Sequence, residues 1–370
     1  MRIAIATPSP RAKRETFIDA HVRLLRRVEL VLEDGLLPAF DGAGRPLLGD
    51  SVRDRLLFTG RLRLLGKDRR AQLMVRIATL LRAKCIDALL CEYGMTAMEL
   101  LPAARRASVP VVAHFHGLDA GQEDAIARYG SYAALWQHAA GIVAVSDAQR
   151  DRLLALGAPA EKLHVSPYGV DVRPAVSDPA SAPPLLLAVG RFTEKKAPLL
   201  LLAAFKRVAE ARSAARLMII GDGDLWPAAQ DFVQAEGLSD RVELPGRLAH
   251  AEVLDRMTAA RAFVQHSITA RNGDAEGMPV AILEAMMIGL PVVSTRHMGI
   301  AESVVEGRTG LLCDECDVEF MARNMITMID DPALAARMGA AGRARALEHY
   351  VMADSIARLQ EILRRCAHQR

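Results

Sequence analysis

Most of the sequence signatures that announce nucleotide, metal or secretory chemistry are missing from this chain. No GxGxxG follows its first apolar run, Ile3–Ala6; the loop there reads Thr7-Pro8-Ser9-Pro10, so the dinucleotide fingerprint is absent. No P-loop glycine–lysine pattern occurs either. Five cysteines (Cys85, Cys91, Cys313, Cys316, Cys366) form no disulfide framework. Cys313 and Cys316 have CxxC spacing, but no second CxxC or histidine pair completes a tetrahedral set, so ordinary thiols of a reducing compartment are expected. No apolar run reaches the ~20 residues needed to cross a bilayer. No basic–apolar leader opens the chain. The net charge of +3 is close to neutral for 370 residues, and no nucleic-acid partner is expected. These absences lead to the expectation of a cytoplasmic protein, a candidate for peripheral contact with the inner face of the cytoplasmic membrane.

What is present is a folded α/β pattern. Hydrophobic residues make up 51% and charged residues 25%, and the length favours two domains. Short apolar runs alternate with amphipathic stretches, and the runs are apolar throughout, as in a parallel sheet covered on both faces. The first series runs from Ile3–Ala6 through Ala88–Cys91, Val109–His114 and Gly141–Val145, with helices expected at Glu15–Arg26, Met74–Lys84, Ala97–Arg106, Ala125–Ala139 and Asp147–Leu156. Val172 to Pro184 is rich in Pro, Ala and Ser without periodicity and is expected to be a linker. The pattern then restarts at Leu185–Val189. The expected domains are 1–171, a linker at 172–184, and 185–352, with the closing helix 353–370 a candidate to pack back on the first domain. Two doubly wound domains in series imply a ligand cleft at their carboxyl edges.

Charge is unevenly spread. Arg53, Arg55, Arg61, Arg63, Lys67, Arg69, Arg70, Arg76, Arg82 and Lys84 interleave with leucines over a short stretch. Arg53–Lys84 is a candidate surface for anionic lipid; the plainer reading is a solvated helix pair.

The stretch Gly273–Thr295 combines a small-residue loop, Pro279 as a helix-start signal, Glu276 and Glu284 eight residues apart, and a stop at Gly289. The N–H groups of Gly277 and Met278, just ahead of Pro279 and Val280, lie near the positive end of the helix, where an anion is favoured. Glu284 is ~7.5 Å further along the axis than Pro279 at 1.5 Å per residue, a distance that suits a ribose if a phosphate occupies the helix mouth. Gly190-Arg191 to Lys196 follows an apolar strand and precedes a helix opened by Pro198, so Arg191 and Lys196 can converge on a phosphate. Asp222-Gly223-Asp224 spells DxD, but inside a glycine turn it reads as a tight βα turn. His114 and His116 share one face of an extended strand end, with no third metal ligand evident nearby.

Together GRFTEKKAP, IIGDGDLW, VELPGRL and ITARNGDAEGMPVAILEAMMIGLPVVSTRHMGIAESVVEG resemble the retaining nucleotide-sugar glycosyltransferases of family 4. In the first half VVAHFHGLDA, GIVAVSDAQR and HVSPYGVDV agree, and the set is most similar to bacterial exopolysaccharide and colanic-acid-type transferases. The resemblance implies a GT-B fold, two Rossmann-like domains facing each other across a cleft. It implies retaining, metal-independent transfer of a sugar from a nucleoside diphosphate to a hydroxyl of a glycan, expected to be lipid-linked, with no cofactor. It also implies Glu276 by the donor sugar, Glu284 on the ribose, Arg191 and Lys196 on the diphosphate, and His116 at the sugar end. Gly246 would lie in the base-contact loop, and Glu15 and Thr16 in a loop nearing donor phosphate and acceptor. Ala197, Gln265-His266-Ser267 and Arg14 depart from the family pattern. The rival readings are a GT-B nucleotide-sugar epimerase, a glycosidase with paired carboxylates, and a non-catalytic nucleotide-sugar-binding protein.

Overall fold

The computed structural model describes residues 1–48 and 68–368. It divides into two compact units, Met1–Pro167 with Ser355–Arg370, and Tyr168–Asp354. Both are α/β with a central parallel sheet, the doubly wound class that the run of apolar strands predicts.

In the first unit the strands are β1 (Ile3–Ala6), β2 (Val28–Glu33), β3 (Phe40–Asp41), β4 (Ala88–Glu92), β5 (Val111–His114), β6 (Gly141–Ala144) and β7 (Leu163–Val165), in the order β3-β2-β1-β4-β5-β6-β7. All pairs are parallel except β2 with β3. The central strands β1, β4, β5 and β6 are buried along their whole length, which is why they show no polar alternation. The strand order reverses between β1 and β4, so the carboxyl ends of these strands form a topological switch point.

The second unit has β8 (Leu185–Val189), β9 (Arg216–Ile220), β10 (Val242–Gly246), β11 (Ala262–Val264), β12 (Val292–Thr295) and β13 (Gly310–Cys313), in the order β10-β9-β8-β11-β12-β13, every pair parallel. Here the switch point lies between β8 and β11. The loop after β8 carries Arg191 to Lys196, and the loop after β11 starts at Gln265.

Several sequence expectations need correction. The single helix expected at Ala125–Ala139 is two short helices, Glu123–Arg128 and Ala133–His138, broken at Gly130–Tyr132. Ser131 and Tyr132 adopt left-handed backbone there. That turn buries the Tyr132 ring edge-on against Phe115, 5.3 Å between centroids, and lets its hydroxyl donate to the Asp119 carbonyl at 2.8 Å. Tertiary packing of one aromatic outweighs helix continuity. The helix expected from Met74 starts earlier, at Arg69, because the Asp68 carboxylate caps it by accepting from the Ala71 N–H at 2.7 Å. Pro279 is extended and is the cap residue, so the helix is Val280–Met287.

Residues 172–184 lie within the second unit. Ser177 donates its N–H and hydroxyl to the Ile288 carbonyl at 2.8 and 3.1 Å, and the Arg343 guanidinium donates to the Arg173 carbonyl at 3.1 Å. Helix Met352–Ala367 belongs from Ser355 onward to the first unit. The Ser355 hydroxyl donates to the Pro167 carbonyl at 2.7 Å, and the buried Cys366 thiol fills the space beside Gly141, where a Cβ would meet sulfur at 2.6 Å.

Of the basic stretch Arg53–Lys84, positions 53–67 lie outside the described residues. The rest is helical with several internal partners: Arg70 pairs with Glu99 at 2.6 Å, and Arg76 donates to the Leu47 carbonyl at 3.1 Å. No helix among the described residues is long and apolar enough to cross a membrane.

Candidate functional site

In the second unit the loop after β8 folds against the loop before helix Val280–Met287. The Lys195 carbonyl accepts from the Ile268 N–H at 2.9 Å, and the Lys195 ammonium is held by Asp274 at 3.0 Å and the Ala275 carbonyl at 3.4 Å. Lys195 is buried, and its role as a tie between the two loops was hidden behind its neighbour in the sequence. Lys196 turns to the other side. Its ammonium lies 3.4 Å from Glu276 Oε2 and donates to Gln265 Oε1 at 3.2 Å. The structure therefore brings Lys196 and Glu276 together, with Arg191 exposed at the start of the same loop.

Glu276 is 8% exposed. Burial pushes its carboxyl up, but Lys196 and Lys195 outweigh this and hold it below the usual carboxylate range. Burial also acts on Lys196, and there it wins over the single carboxylate, so the ammonium sits below the ordinary lysine value. Both values fall, which favours the charged form of Glu276 and disfavours that of Lys196. Glu276 is ionised, because the ammonium groups of Lys196 and Lys195 both lie close to it. Its Oε1 has no hydrogen-bond partner among the described residues. An ionised, buried acceptor without a donor costs free energy unless a ligand supplies one.

Gln265, His266 and Ser267, which depart from the family pattern, adjoin this network. Gln265 bridges Lys196 to the Ser267 hydroxyl, to which its amide donates at 2.8 Å. His266 Nε2 accepts from the Cys316 N–H at 3.0 Å, and burial pulls this imidazole down to about 4. Ala197 occupies left-handed backbone, φ +41°, which explains why glycine suits that position. The Asp222–Asp224 turn presses onto the loop after β8: the Asp222 carbonyl accepts from the Phe192 N–H at 2.7 Å, and a Cβ on Gly221 would come within 1.9 Å of the Gly190 carbonyl oxygen.

Glu284 lies on helix Val280–Met287, which begins just past the buried Gly277, Met278 and Pro279. Its Oε1 pairs with His250 Nε2 at 2.8 Å. That partner, from the helix His250–Thr258, had no signal in the sequence spacing. Gly246 takes left-handed backbone at the end of β10, and its carbonyl accepts from the Gly221 N–H at 2.9 Å.

In the first unit His116 sits just past β5 in a buried cluster. Asp119 builds its backbone: one carboxylate oxygen accepts from the N–H groups of His116 at 2.9 Å and Gly117 at 3.2 Å, the other from Gly94 at 2.7 Å. Glu92, the last residue of β4 and fully buried, faces three histidines. His21 Nδ1 lies 2.8 Å from its Oε1, His116 Nε2 2.8 Å and His114 Nδ1 3.4 Å from its Oε2. Burial pushes the Glu92 carboxyl up, yet the histidines hold it well below the usual range. Burial and the nearby His116 pull His114 down to about 3. The His116 ring is flanked by Phe17 and Tyr93, each with centroids at 4.7 Å.

Sequence spacing offered no third partner for His114 and His116; the fold supplies two, His21 from helix Thr16–Leu24 and Glu92 from β4. His21, Glu92 and His114 are a donor set of the kind zinc uses. Within that set the His21–Glu92 separation of 2.8 Å is a hydrogen-bond length, tighter than the about 3.3 Å edge of a tetrahedron with ~2.0 Å metal bonds, whereas His114 and Glu92 are 3.4 Å apart.

Glu15 accepts from Tyr93 and Ser9 hydroxyls, both at 3.0 Å, and Thr16 opens its helix exposed. Arg14 turns inward to pair with Glu33, both side chains nearly buried.

Residues 15–169 match the family model described as a glycosyl transferase 4-like domain, and residues 172–345 the model of glycosyl transferases group 1. The chain is 34% identical over 255 residues to the colanic acid biosynthesis glycosyltransferase WcaL named in Escherichia coli K12, covering 68% of this chain and 62% of that protein. It is 30% identical over 257 residues to the amylovoran biosynthesis glycosyltransferase AmsK of Erwinia amylovora, covering 68% of this chain and 63% of the relative. The chain thus matches just under two thirds of those relatives' length. Among solved structures, Anabaena Alr3699/HepE in complex with UDP superposes with a TM-score of 0.77 at 19% identity, covering 98% of this chain and all of that one. The lipopolysaccharide outer core galactosyltransferase WaaB superposes at 0.71 and 17% identity, covering 98% and 99%. At these identities the likeness is one of fold.

Proposed function

The chain belongs to the two-domain glycosyltransferases of family 4, and we propose that it is a retaining, metal-independent enzyme that transfers a sugar from a nucleoside diphosphate to a glycan hydroxyl in bacterial surface or exopolysaccharide synthesis. The observation that carries this reading is Glu276: a buried, ionised carboxylate beside Lys196 whose Oε1 lacks a donor among the described residues. A sugar hydroxyl supplies such a donor, and the neighbouring cations suit a diphosphate.

On this reading Arg191 and Lys196 hold the diphosphate, aided by the N–H groups before helix Val280–Met287. Charge fixed where the leaving diphosphate develops its own is the largest catalytic contribution expected. Glu276 orients the donor sugar, and Glu284 accepts from the ribose, in exchange for or beside its bond to His250. His116, fixed within the first unit by Asp119 and Glu92, is the residue that the family resemblance assigns to the donor sugar. The acceptor proton passes to the leaving phosphate on the same face. The named relatives support a polysaccharide acceptor, a lipid-linked glycan being the specific form proposed. Both donor bases have precedent among similar proteins: HepE is described with UDP-glucose at 19% identity, and a Mycolicibacterium smegmatis relative at 28% identity is named GDP-mannose-dependent. Contact with an anionic membrane surface through Arg53–Lys84 is part of the proposal, and vesicle co-sedimentation without preference for anionic lipid would remove it.

The test is NMR of the full chain with UDP- and GDP-hexoses and glycan acceptors, with and without EDTA. A product of unchanged anomeric configuration, formed equally with chelator, is expected. An inverted product removes the retaining assignment, and loss of transfer under EDTA removes metal independence. Interconversion of the donor without acceptor would make the protein an epimerase instead.

A further inference from the structure

The loop that presents Glu276 is fastened at both ends through one residue, Glu315. Glu315 follows β13, within the CDEC stretch. Its Oε2 accepts from the Thr269 N–H at 2.8 Å, at the start of the loop. Its Oε1 lies 2.5 Å from His297 Nδ1. His297 is 1% exposed and follows β12. Its other nitrogen, Nε2, lies 3.0 Å from the backbone N of Glu276 at the far end of the same loop.

The direction of these bonds fixes a proton. A backbone N–H only donates, so His297 Nε2 must be the bare, accepting nitrogen. A carboxylate only accepts, so Nδ1 carries the hydrogen and donates it to Glu315. His297 is therefore neutral, in the Nδ1–H form. Reversing either partner breaks the chain of bonds: a hydrogen on Nε2 would point at the Glu276 N–H. The next residue reinforces the same place, because the Cys316 N–H donates to His266 Nε2 at 3.0 Å, beside Gln265 and its bond to Lys196.

We propose that Glu315 is a positioning residue for the sugar-side carboxylate, acting through the His297 tautomer to fix the backbone from which Glu276 reaches Lys196. The link to sugar rests on the donor-site reading above; the strut itself does not. Glu315→Gln is the informative substitution. The amide keeps the size but has one oxygen for two donors. Satisfying Thr269 turns its NH2 toward Nδ1, which forces the hydrogen onto Nε2 and against the Glu276 N–H.

Two measurements on the full chain test this. Long-range proton–nitrogen NMR of the wild type at neutral pH is expected to show His297 with a protonated Nδ1 and a bare Nε2; an Nε2–H or doubly protonated ring overturns the strut. Calorimetric titration then uses UDP with UDP-glucose and GDP with GDP-mannose, following whichever pair the wild type binds. Glu315→Gln is expected to weaken the sugar nucleotide about tenfold and leave the bare diphosphate within about twofold. Glu315→Asp, which keeps the charge with a shorter reach, is expected to fall between. Equal loss for both ligands, or no loss for either, overturns the positioning role. A wild type that binds neither pair overturns the donor reading and the sugar-side role together, while the tautomer still decides the strut. If Glu315→Gln does not fold, Glu315→Asp and the wild-type spectrum carry the same decision.

Discussion

Lys196 Nζ and Glu276 Oε2 stand 3.4 Å apart in a buried site, although 80 residues separate them in the chain. They come together because the loop after β8 and the loop after β11 meet where the strand order of the second sheet reverses. One carboxylate oxygen faces the ammonium, and the other faces no donor among the described residues.

If the cations of this loop hold a diphosphate, removing either should slow transfer by about 10²-fold or more. The two variants differ in stability. Arg191 is exposed, so Arg191→Ala should unfold within about 0.5 kcal/mol of wild type. Lys196→Ala strands a buried carboxylate and should cost about 3 kcal/mol. Steady-state rates with chemical denaturation check both; near wild-type turnover in the two variants would remove the phosphate assignment.

Glu284 and Glu276 should separate by ligand. Glu284→Ala is expected to weaken a nucleoside diphosphate and its sugar conjugate alike, about tenfold, through loss of ribose contacts. Glu276→Ala should weaken the sugar conjugate alone. Calorimetry on the four combinations measures this, and a Glu284→Ala protein of unchanged affinity for the free nucleotide would rule out the ribose role.

Acid should destabilise the first unit through His114. Its folded value of about 3 lies below the ordinary histidine value of 6.5, so the unfolded chain takes up the proton first. Stability is then lost as pH falls from about 6.5 towards 3, by up to about 1.4 kcal/mol per pH unit for this one group. His266, in the second unit, and His164 are shifted in the same sense and share the window. Between pH 4.5 and 6.5 a His114→Gln variant should show a shallower loss by roughly that slope, measured by urea unfolding. An unchanged slope would mean His114 is charged in the fold.

Ala197 offers a gain. At φ +41° its Cβ crowds the backbone, and Ala197→Gly should relieve up to about 1 kcal/mol even after the entropy of the unfolded chain is counted. The denaturation midpoint should rise; a fall would show that the methyl's packing outweighs the strain.

Much of the fold was legible because its strands are buried on both faces and read as unbroken apolar runs, from Ile3–Ala6 to Val292–Thr295. Local signals failed where one distant contact decided the outcome, as at Tyr132, whose ring and hydroxyl pull a helix apart. The two loops bearing Arg191, Lys196 and Glu276 were readable from glycine, cation and carboxylate spacing. Their supports were not. Lys195, His297 and Glu315 act through partners 18 or more residues away, as do His250 on Glu284 and, in the first unit, Glu92 on His116, and no periodicity records a contact of that kind.

The Lys196–Glu276 site is expected to bind a nucleoside-diphosphate sugar. Thermal unfolding of wild type and Arg191→Ala across UDP, GDP and their hexose conjugates tests that most directly. For one base the wild type should gain stability with the logarithm of ligand concentration, about 2.7 kcal/mol at a hundredfold excess over the dissociation constant, and the variant should gain far less. No stabilisation of the wild type by any of these ligands would contradict the account.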